Sequence, residues 1–245
     1  MSDIAAVASN ALQSYQAALS TVSNNIANAT TTGYSAEQVV MVEGTPTPSG
    51  NVDLGTGAVA ATISRSYSAF ANSNVRSSTS QLQSQTSLLT YANDVVNALG
   101  NSTSGLTASM DGFFNSLNQL STNPSSSVLR TSVLGSANSL ASTFSEIQGQ
   151  LHQVDSQTQT QAQSDVTQIN TLANQLAQVN AQLSSNPTLA SQPPALLDDR
   201  DTLLNQLSQS VGIDVTFTAN GQANVSINGA GNAGNLVAGQ TANPM

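Results

Sequence analysis

Cysteine, tryptophan and lysine are all absent from this 245-residue chain, and only 7% of its residues carry a charge. Without cysteine there can be no disulfide framework, no thiolate nucleophile and no thiolate metal ligand. Without lysine, positive charge rests on Arg65, Arg76, Arg130 and Arg200 alone, against 13 acids, for a net charge of −9. No basic patch is available to neutralise phosphates, which argues against nucleic-acid binding. An anionic membrane surface is disfavoured for the same reason. Long apolar runs are missing too, since none approaches the roughly 20 residues needed to cross a bilayer. The N-terminus, Met1 to Ala6, has neither a basic region nor an unbroken apolar stretch, so it is not an ordinary cleaved secretory signal.

What the chain does contain is amide and hydroxyl. Ser, Thr, Asn and Gln supply close to half of it, while Leu, Ile, Val and Phe make up about a fifth. That apolar fraction lies near the level below which chains often stay unfolded alone. Narrow seams between helices are within its means, and a large globular core is not. The fold class expected is mainly α: an elongated, coiled-coil-like helical bundle, with an extended β/loop segment near residues 35–68 and the start of a β-rich outer domain at the C-terminus.

Four stretches differ in pattern. Residues 3–29 read as one helix, about 40 Å long. Ala5, Ala8, Leu12, Tyr15, Leu19, Val22 and Ile26 alternate spacings of three and four, the seam of a coiled coil. Ser2 or Asp3 can cap its start, and Gly33 lies just past its end. A lone helix with such a stripe needs a partner surface. Over 35–69, Val39, Val40 and Val42, then Val59 and Ile63, suggest two short strands. A loop with Pro46, Pro48, Gly50, Gly55 and Gly57 separates them.

Helical spacing returns at Val75, Leu82, Leu89 and Val96, with polar Ser78 and Gln85 on the same seam, and Gly100-Asn101 ends that helix. Leu106, Met110, Phe113, Leu117 and Leu120 form the next stripe, up to Asn123-Pro124, where Pro124 suits the first turn of a following helix. That helix carries Val133 through Val154, fades over 155–165, and resumes at Val166, Ile169, Ala173, Leu176, Val179 and Leu183. The resumed stripe is offset by one residue, so one bent helix and two loosely joined helices both fit. A further helix is expected at about 196–209, after Pro193-Pro194. From 211 onward, Ile213, Val215 and Phe217 alternate with polar residues. Asn220-Gly221 then offers a type I′ turn before Ala223, Val225 and Ile227. Leu236-Val237-Ala238 is a candidate further strand, and the chain stops as though within an unfinished β domain.

Chemistry-bearing residues are few. His152, the sole histidine, has no second His or Cys to complete a metal site and reads as a solvated helical residue. Asp198-Asp199-Arg200-Asp201 is the densest acidic group. Its adjacent positions diverge on a helix, and the calcium-loop pattern is missing, so acids near a helix start, favourable to the dipole, are the ordinary reading. No nucleophile elbow and no phosphate-binding glycine loop are present. Neither catalysis, a cofactor nor a bound metal is expected.

Residues 23–34 stand apart. Ser23, Asn24, Asn25, Ile26, Asn28, Gly33 and Tyr34 form an amide-rich helix end. Helix capping accounts for the residue types but not for the arrangement. Buried against copies of itself, such a segment could form inter-subunit hydrogen-bond ladders. The run resembles the N-terminal signature of bacterial flagellar axial proteins, the rod, hook and hook-associated subunits.

Later segments are similar to the hook-associated protein 1 family in particular: Ile63 to Tyr67 with Phe70 and Arg76, Phe113 to Leu117 with Asn123-Pro124 and Arg130, and Val166 to Leu183. The most discriminating is Leu196-Leu197-Asp198-Asp199-Arg200-Asp201, with Leu203-Leu204 and Val211-Gly212-Ile213. The resemblance spans the chain. It departs at Ala36, where an Arg is usual, and at Ser68, where an Asp often stands.

The resemblance implies a structural subunit that joins hook to filament and is required for flagellum assembly. Its implied partners are copies of itself in a ring, the hook protein, the second hook–filament junction protein and the flagellar export apparatus. It would be extracellular at the junction, exported without a cleaved signal peptide. Residues 1–34 would form an axial helix, 35–69 an extended linker, 70–210 a helical rod-like domain and 211–245 the start of an outer β domain. The family continues further, to a C-terminal helix that pairs with the first, so the chain resembles an N-terminal portion. Another axial protein (hook or distal rod) and a secreted coiled-coil adhesin or fibre module are the alternatives. A muramidase-like rod accessory comes last.

Overall fold

The computed structural model describes residues 2–49, 51–100 and 105–245, which form five α-helices and eight short strands, among them three strands that the patterns do not single out. The side chains of Ser2, Asp3, Ser49, Val52, Asn232 and Ala233 are not included in that description. The expected cap by Ser2 or Asp3, the loop glycine Gly50 and the helix-ending Asn101 therefore lie outside the described part. The chain is mainly helical, with strands near 35–68 and after 211, as its composition and periodicity suggest.

Two compact units are present. The first combines Met1–Gln81 with Thr167–Met245, and the second is Leu82–Val166. In the first unit, α1 (Ser2–Ala27) is followed by the antiparallel pair β1 (Glu37–Glu43) and β4 (Ala58–Arg65). At the tip of that hairpin the Gly/Pro loop folds into a second small pair, β2 (Thr47–Ser49) and β3 (Val52–Leu54). The helix α2 (Ala69–Leu99) begins one residue before Phe70.

The helix beginning after Pro124 is continuous from Ser127 to Leu183 (α4), which settles the choice between one helix and two. Pro124 is not in its first turn, as expected, but in the turn before it. There the Pro124 carbonyl accepts hydrogen bonds from Arg130 Nε (2.9 Å) and Nη2 (2.7 Å). In the second unit α3 (Leu106–Thr122) runs antiparallel to α4. Hydroxyl pairs join them, Ser109 with Thr143 (2.9 Å) and Ser116 with Ser136 (2.6 Å), beside the buried Ile147. Polar contacts thus do in this unit what larger apolar side chains do elsewhere.

The core lies in the first unit. Ile169, Leu172, Ala173, Leu176 and Ala177 from the end of α4 meet Leu204 and Leu207 of α5 (Pro194–Ser210). Above them lies an antiparallel sheet in the order β5 (Ile213–Phe217), β6 (Ala223–Ile227), β7 (Asn235–Ala238), β8 (Thr241–Ala242), contributing Val225, Leu236 and Val237. Alternation along β6 sends Ala223 and Val225 inward, which is why a chain so poor in apolar residues still closes a core here.

The β5–β6 connection corrects an expectation. A type I′ turn needs positive φ at both central residues, yet among the described residues only glycines have positive φ. Instead a longer loop runs from Thr218 to Gln222, closed by Thr218 N–H to the Gln222 carbonyl (3.0 Å) and by Gly221 N–H to the Thr218 carbonyl (2.9 Å). Gly221, at φ +86°, supplies the reversal alone.

Candidate assembly site

Helix α1 carries two stripes, and the polar one is docked. Asn10, Ser14, Thr21 and Asn25 recur at helical spacing, about 200° around the axis from Leu12, Leu19 and Ile26. Ser14 Oγ accepts from Ala60 N–H at 3.1 Å and contacts the Ala58 carbonyl at 3.1 Å. Asn10 Nδ2 donates to the Thr56 carbonyl (3.2 Å). Asn25 pairs with both backbone groups of Glu37: its Nδ2 donates to the Glu37 carbonyl, and its Oδ1 accepts Glu37 N–H, each at 2.8 Å. The side chains of α1 thus act as one more strand against the β1–β4 hairpin. Ser14 and Thr21 are 3% exposed.

The apolar stripe is left open. Leu12, Tyr15, Leu19, Val22 and Ile26 are between 52% and 73% exposed. Ser23 and Asn24 share this open surface. Ser23 Oγ turns back to the Leu19 carbonyl, and Asn28 Nδ2 to the Asn24 carbonyl.

Beyond α1 the chain enters a buried ionic clasp. Tyr34 O–H donates to Asn25 Oδ1 (2.7 Å), and Ser35 N–H donates to Asp198 Oδ2 (3.0 Å). Gly33 stands at φ +87°, and a Cβ there would come within 2.4 Å of Thr202 Oγ1, so both conformation and packing require glycine. At the end of β4, Arg65 reaches two carboxylates one turn apart on α5. Its Nη1 bonds Asp198 Oδ1 (2.5 Å) and its Nη2 bonds Asp201 Oδ2 (3.0 Å). Arg200 turns its Nε and Nη2 to Asp201 Oδ1 and its Nη1 to the Gly221 carbonyl (2.6 Å), while its guanidinium lies over the Phe217 ring at 4.3 Å. Leu197, buried beneath, closes against Gly221.

Two groups at the edge respond electrostatically. Burial first, then the charges of Glu37 and Asp198, push the Tyr34 phenol above its ordinary value, keeping its O–H a donor. Burial first, then the Asp198 charge, raises the Glu37 carboxyl, with Arg65 opposing.

The structure thus brings Asn25, Gly33 and Tyr34 together with Asp198, Arg200 and Asp201, from opposite ends of the chain. It does not bring Ser23, Asn24 or Ile26 to that clasp. The acidic run is neither a cation loop nor mainly a dipole device, because Asp198 and Asp201 are salt-bridged and only Asp199 is exposed.

Arg65 is the clasp residue that motif reasoning does not single out as a site. Two acids at i and i+3, in a chain with four cations, are the available signal. Asn180 and Gln192 are also unsignalled. Asn180 bonds both backbone groups of Ala223, and Gln192 Nε2 bonds the carbonyls of Leu183 and Asn220. Among the described residues no three His, Asp or Glu side chains gather as a metal set.

The chain is similar to known proteins along its length. Residues 92–245 match the family described as the flagellar hook-associated protein FlgK helical domain, and residues 6–34 match the flagella basal body rod protein family. Flagellar hook-associated protein 1 of Escherichia coli K12 is 31% identical over the whole chain, which covers 45% of that protein. The protein of the same name from Bacillus subtilis 168 is 32% identical over 87% of the chain, covering 44% of its length. A solved structure of the flagellar hook junction protein FlgK from Burkholderia pseudomallei superposes with a TM-score of 0.59 at 30% identity, covering 70% of this chain and 30% of that one. The chain spans less than half the length of these relatives.

Proposed function

Because the chain belongs to the family of flagellar hook-associated protein FlgK helical domains, we propose that it acts as a structural subunit of the bacterial flagellum, at the joint between hook and filament. The observation that carries this reading is the division of α1: a polar face fastened to its own hairpin, and an apolar face left open. The fastened face fixes the helix relative to the clasp, so the open face is presented in one orientation. Ordering is then complete before contact, which lowers the entropic cost of assembly.

In this reading the seam of Leu12, Tyr15, Leu19, Val22 and Ile26 packs in the innermost layer, within residues 1–34. Residues 35–69 are the linker that fastens it, 70–210 form the surrounding helical layer, and 211–245 open the outer β layer. Copies of the subunit form a ring, with hook protein on one side and the second junction protein on the other. The subunit reaches this extracellular place through the flagellar export apparatus, without a cleaved signal peptide, and its role is mechanical rather than catalytic.

The experiment is to express the chain in a flagellated strain lacking its own hook-associated protein 1 and to isolate hook–basal bodies. Chain with an intact seam is expected to co-sediment with them, and a Leu12→Ser/Leu19→Ser/Ile26→Ser variant to remain soluble. Equal recovery of both would refute the role of the seam.

A further inference from the structure

Arg76, on α2 within the first unit, is 6% exposed, and its Nη1 has no hydrogen-bond partner. The other arginines are satisfied within the chain: Arg65 by Asp198 and Asp201, Arg200 by Asp201 and Gly221, Arg130 by the Pro124 carbonyl. A covered guanidinium with an unpaired N–H is strongly unfavourable unless something else neutralises it. Beside it lies a cavity of about 440 Å³ whose walls include Arg76, Ser73, Ser77, Ser80 and Asn228. Asp214 also lines it, but makes no ion pair with Arg76.

We propose that this cavity is a carboxylate-binding site, filled on assembly by an aspartate or glutamate side chain from a second copy of this chain. The guanidinium fork matches a carboxylate in plane and spacing, and the serine hydroxyls around it can donate to the remaining lone pairs. Charge complementarity points to a copy as the source. The chain has 13 acids and four arginines, and the clasp uses only Asp198 and Asp201, so exposed acids such as Asp111, Glu146, Asp155 and Asp199 are in surplus. A buried cation that every copy carries, facing acids that every copy displays, is a self-complementary pair. The choice of occupant rests on the assembly proposed for the α1 seam; the carboxylate preference of the cavity does not.

Two measurements on the full chain test this. In the first, arginine side-chain NMR follows Arg76 during titration with sodium acetate, against sodium chloride at matched ionic strength. A saturable Arg76 shift with acetate alone is expected. The same response to chloride, or no response, overturns the site. Ser80→Glu, one turn along the same helix face, supplies a carboxylate within the chain. It is expected to abolish the acetate response and raise the urea midpoint; an unchanged response with a lower midpoint would overturn the site.

In the second measurement, a photo-crosslinker replaces Ser77 and mixed isotope-labelled copies are irradiated. A cross-linked dimer joined to an Asp- or Glu-containing peptide, and suppressed by Ser80→Glu, is expected. Acetate binding without that cross-link overturns the second copy as occupant. If the chain still co-sediments with hook–basal bodies, this inference alone fails; if it does not, the assembly reading fails with it.

Discussion

Arg65, the last residue of β4, bridges Asp198 and Asp201 on successive positions of one α5 face, with its side chain only 5% exposed. Without Arg65, Asp198 is left buried and charged with no cation beside it, and Asp201 keeps Arg200 alone. Arg65→Ala is therefore expected to destabilise the chain by about 3–5 kcal/mol, read as a lower urea midpoint with unchanged slope. Asp199→Ala, at an exposed position, is expected to stay within about 0.5 kcal/mol of wild type.

Gly33 and Thr202 form a tight contact that can be separated into two terms. Gly33→Ala is expected to cost about 1–2 kcal/mol for the left-handed backbone, plus a steric cost from Thr202 Oγ1. In a Thr202→Ala background the steric part is expected to disappear and the backbone part to remain. A double-mutant cycle by chemical denaturation measures the split.

Glu37 gives a pH dependence of definite sign. Its carboxyl is raised above 4.5 in the folded chain, so the folded state holds the proton more tightly than the unfolded state. Its contribution to stability is therefore full at low pH and is lost as pH rises from 4.5 through the raised value. Glu37→Gln is expected to flatten that part of the stability–pH curve and to gain on wild type at neutral pH. Urea titrations from pH 4 upward check both features.

Leu176 lies at the centre of the core with no exposure. Leu176→Ala is expected to cost about 2–5 kcal/mol. By contrast, Leu82→Ala, at a seam position 65% exposed, is expected to cost well under that. Thermal unfolding of the two variants distinguishes a real core seam from an unpartnered one.

These contrasts show which sequence signals report on this fold. Periodicity located α1, α2, α3 and α4, because backbone hydrogen bonding follows spacing whatever the stripe packs against. It did not say which face would be covered. Leu12, Leu19, Leu82 and Leu89 have seam spacing and remain exposed, whereas the stripe from Ile169 to Leu183 is buried. The difference lies in the partner: the later stripe meets α5 and the sheet within the same unit, and the earlier ones stay exposed.

The clasp was half legible. The run from Leu197 to Asp201 and the segment from Asn25 to Tyr34 stood out by residue type, but nothing local joins positions more than 160 residues apart. Asn180, Gln192 and Ser14 were hidden for a related reason. Each uses a side chain to satisfy backbone groups of a distant segment, and in a chain with so many amides and hydroxyls such residues have no distinguishing pattern. The Asn220-Gly221 turn was misassigned because loop length, not the dipeptide, decided its geometry.

The most direct test of the account is the chemical accessibility of the two faces of α1. The chain has no cysteine, so Leu19→Cys and Thr21→Cys each carry a single thiol. Leu19 is 68% exposed and Thr21 is 3% exposed. With maleimide under native conditions, Leu19→Cys is expected to react at nearly the rate of an unstructured peptide, and Thr21→Cys at least about tenfold more slowly, the factor that a 1.4 kcal/mol opening cost would give. Fast labelling at Thr21 with protection at Leu19 would contradict the account, because it would mean that the helix docks by its apolar face and has none to offer a partner.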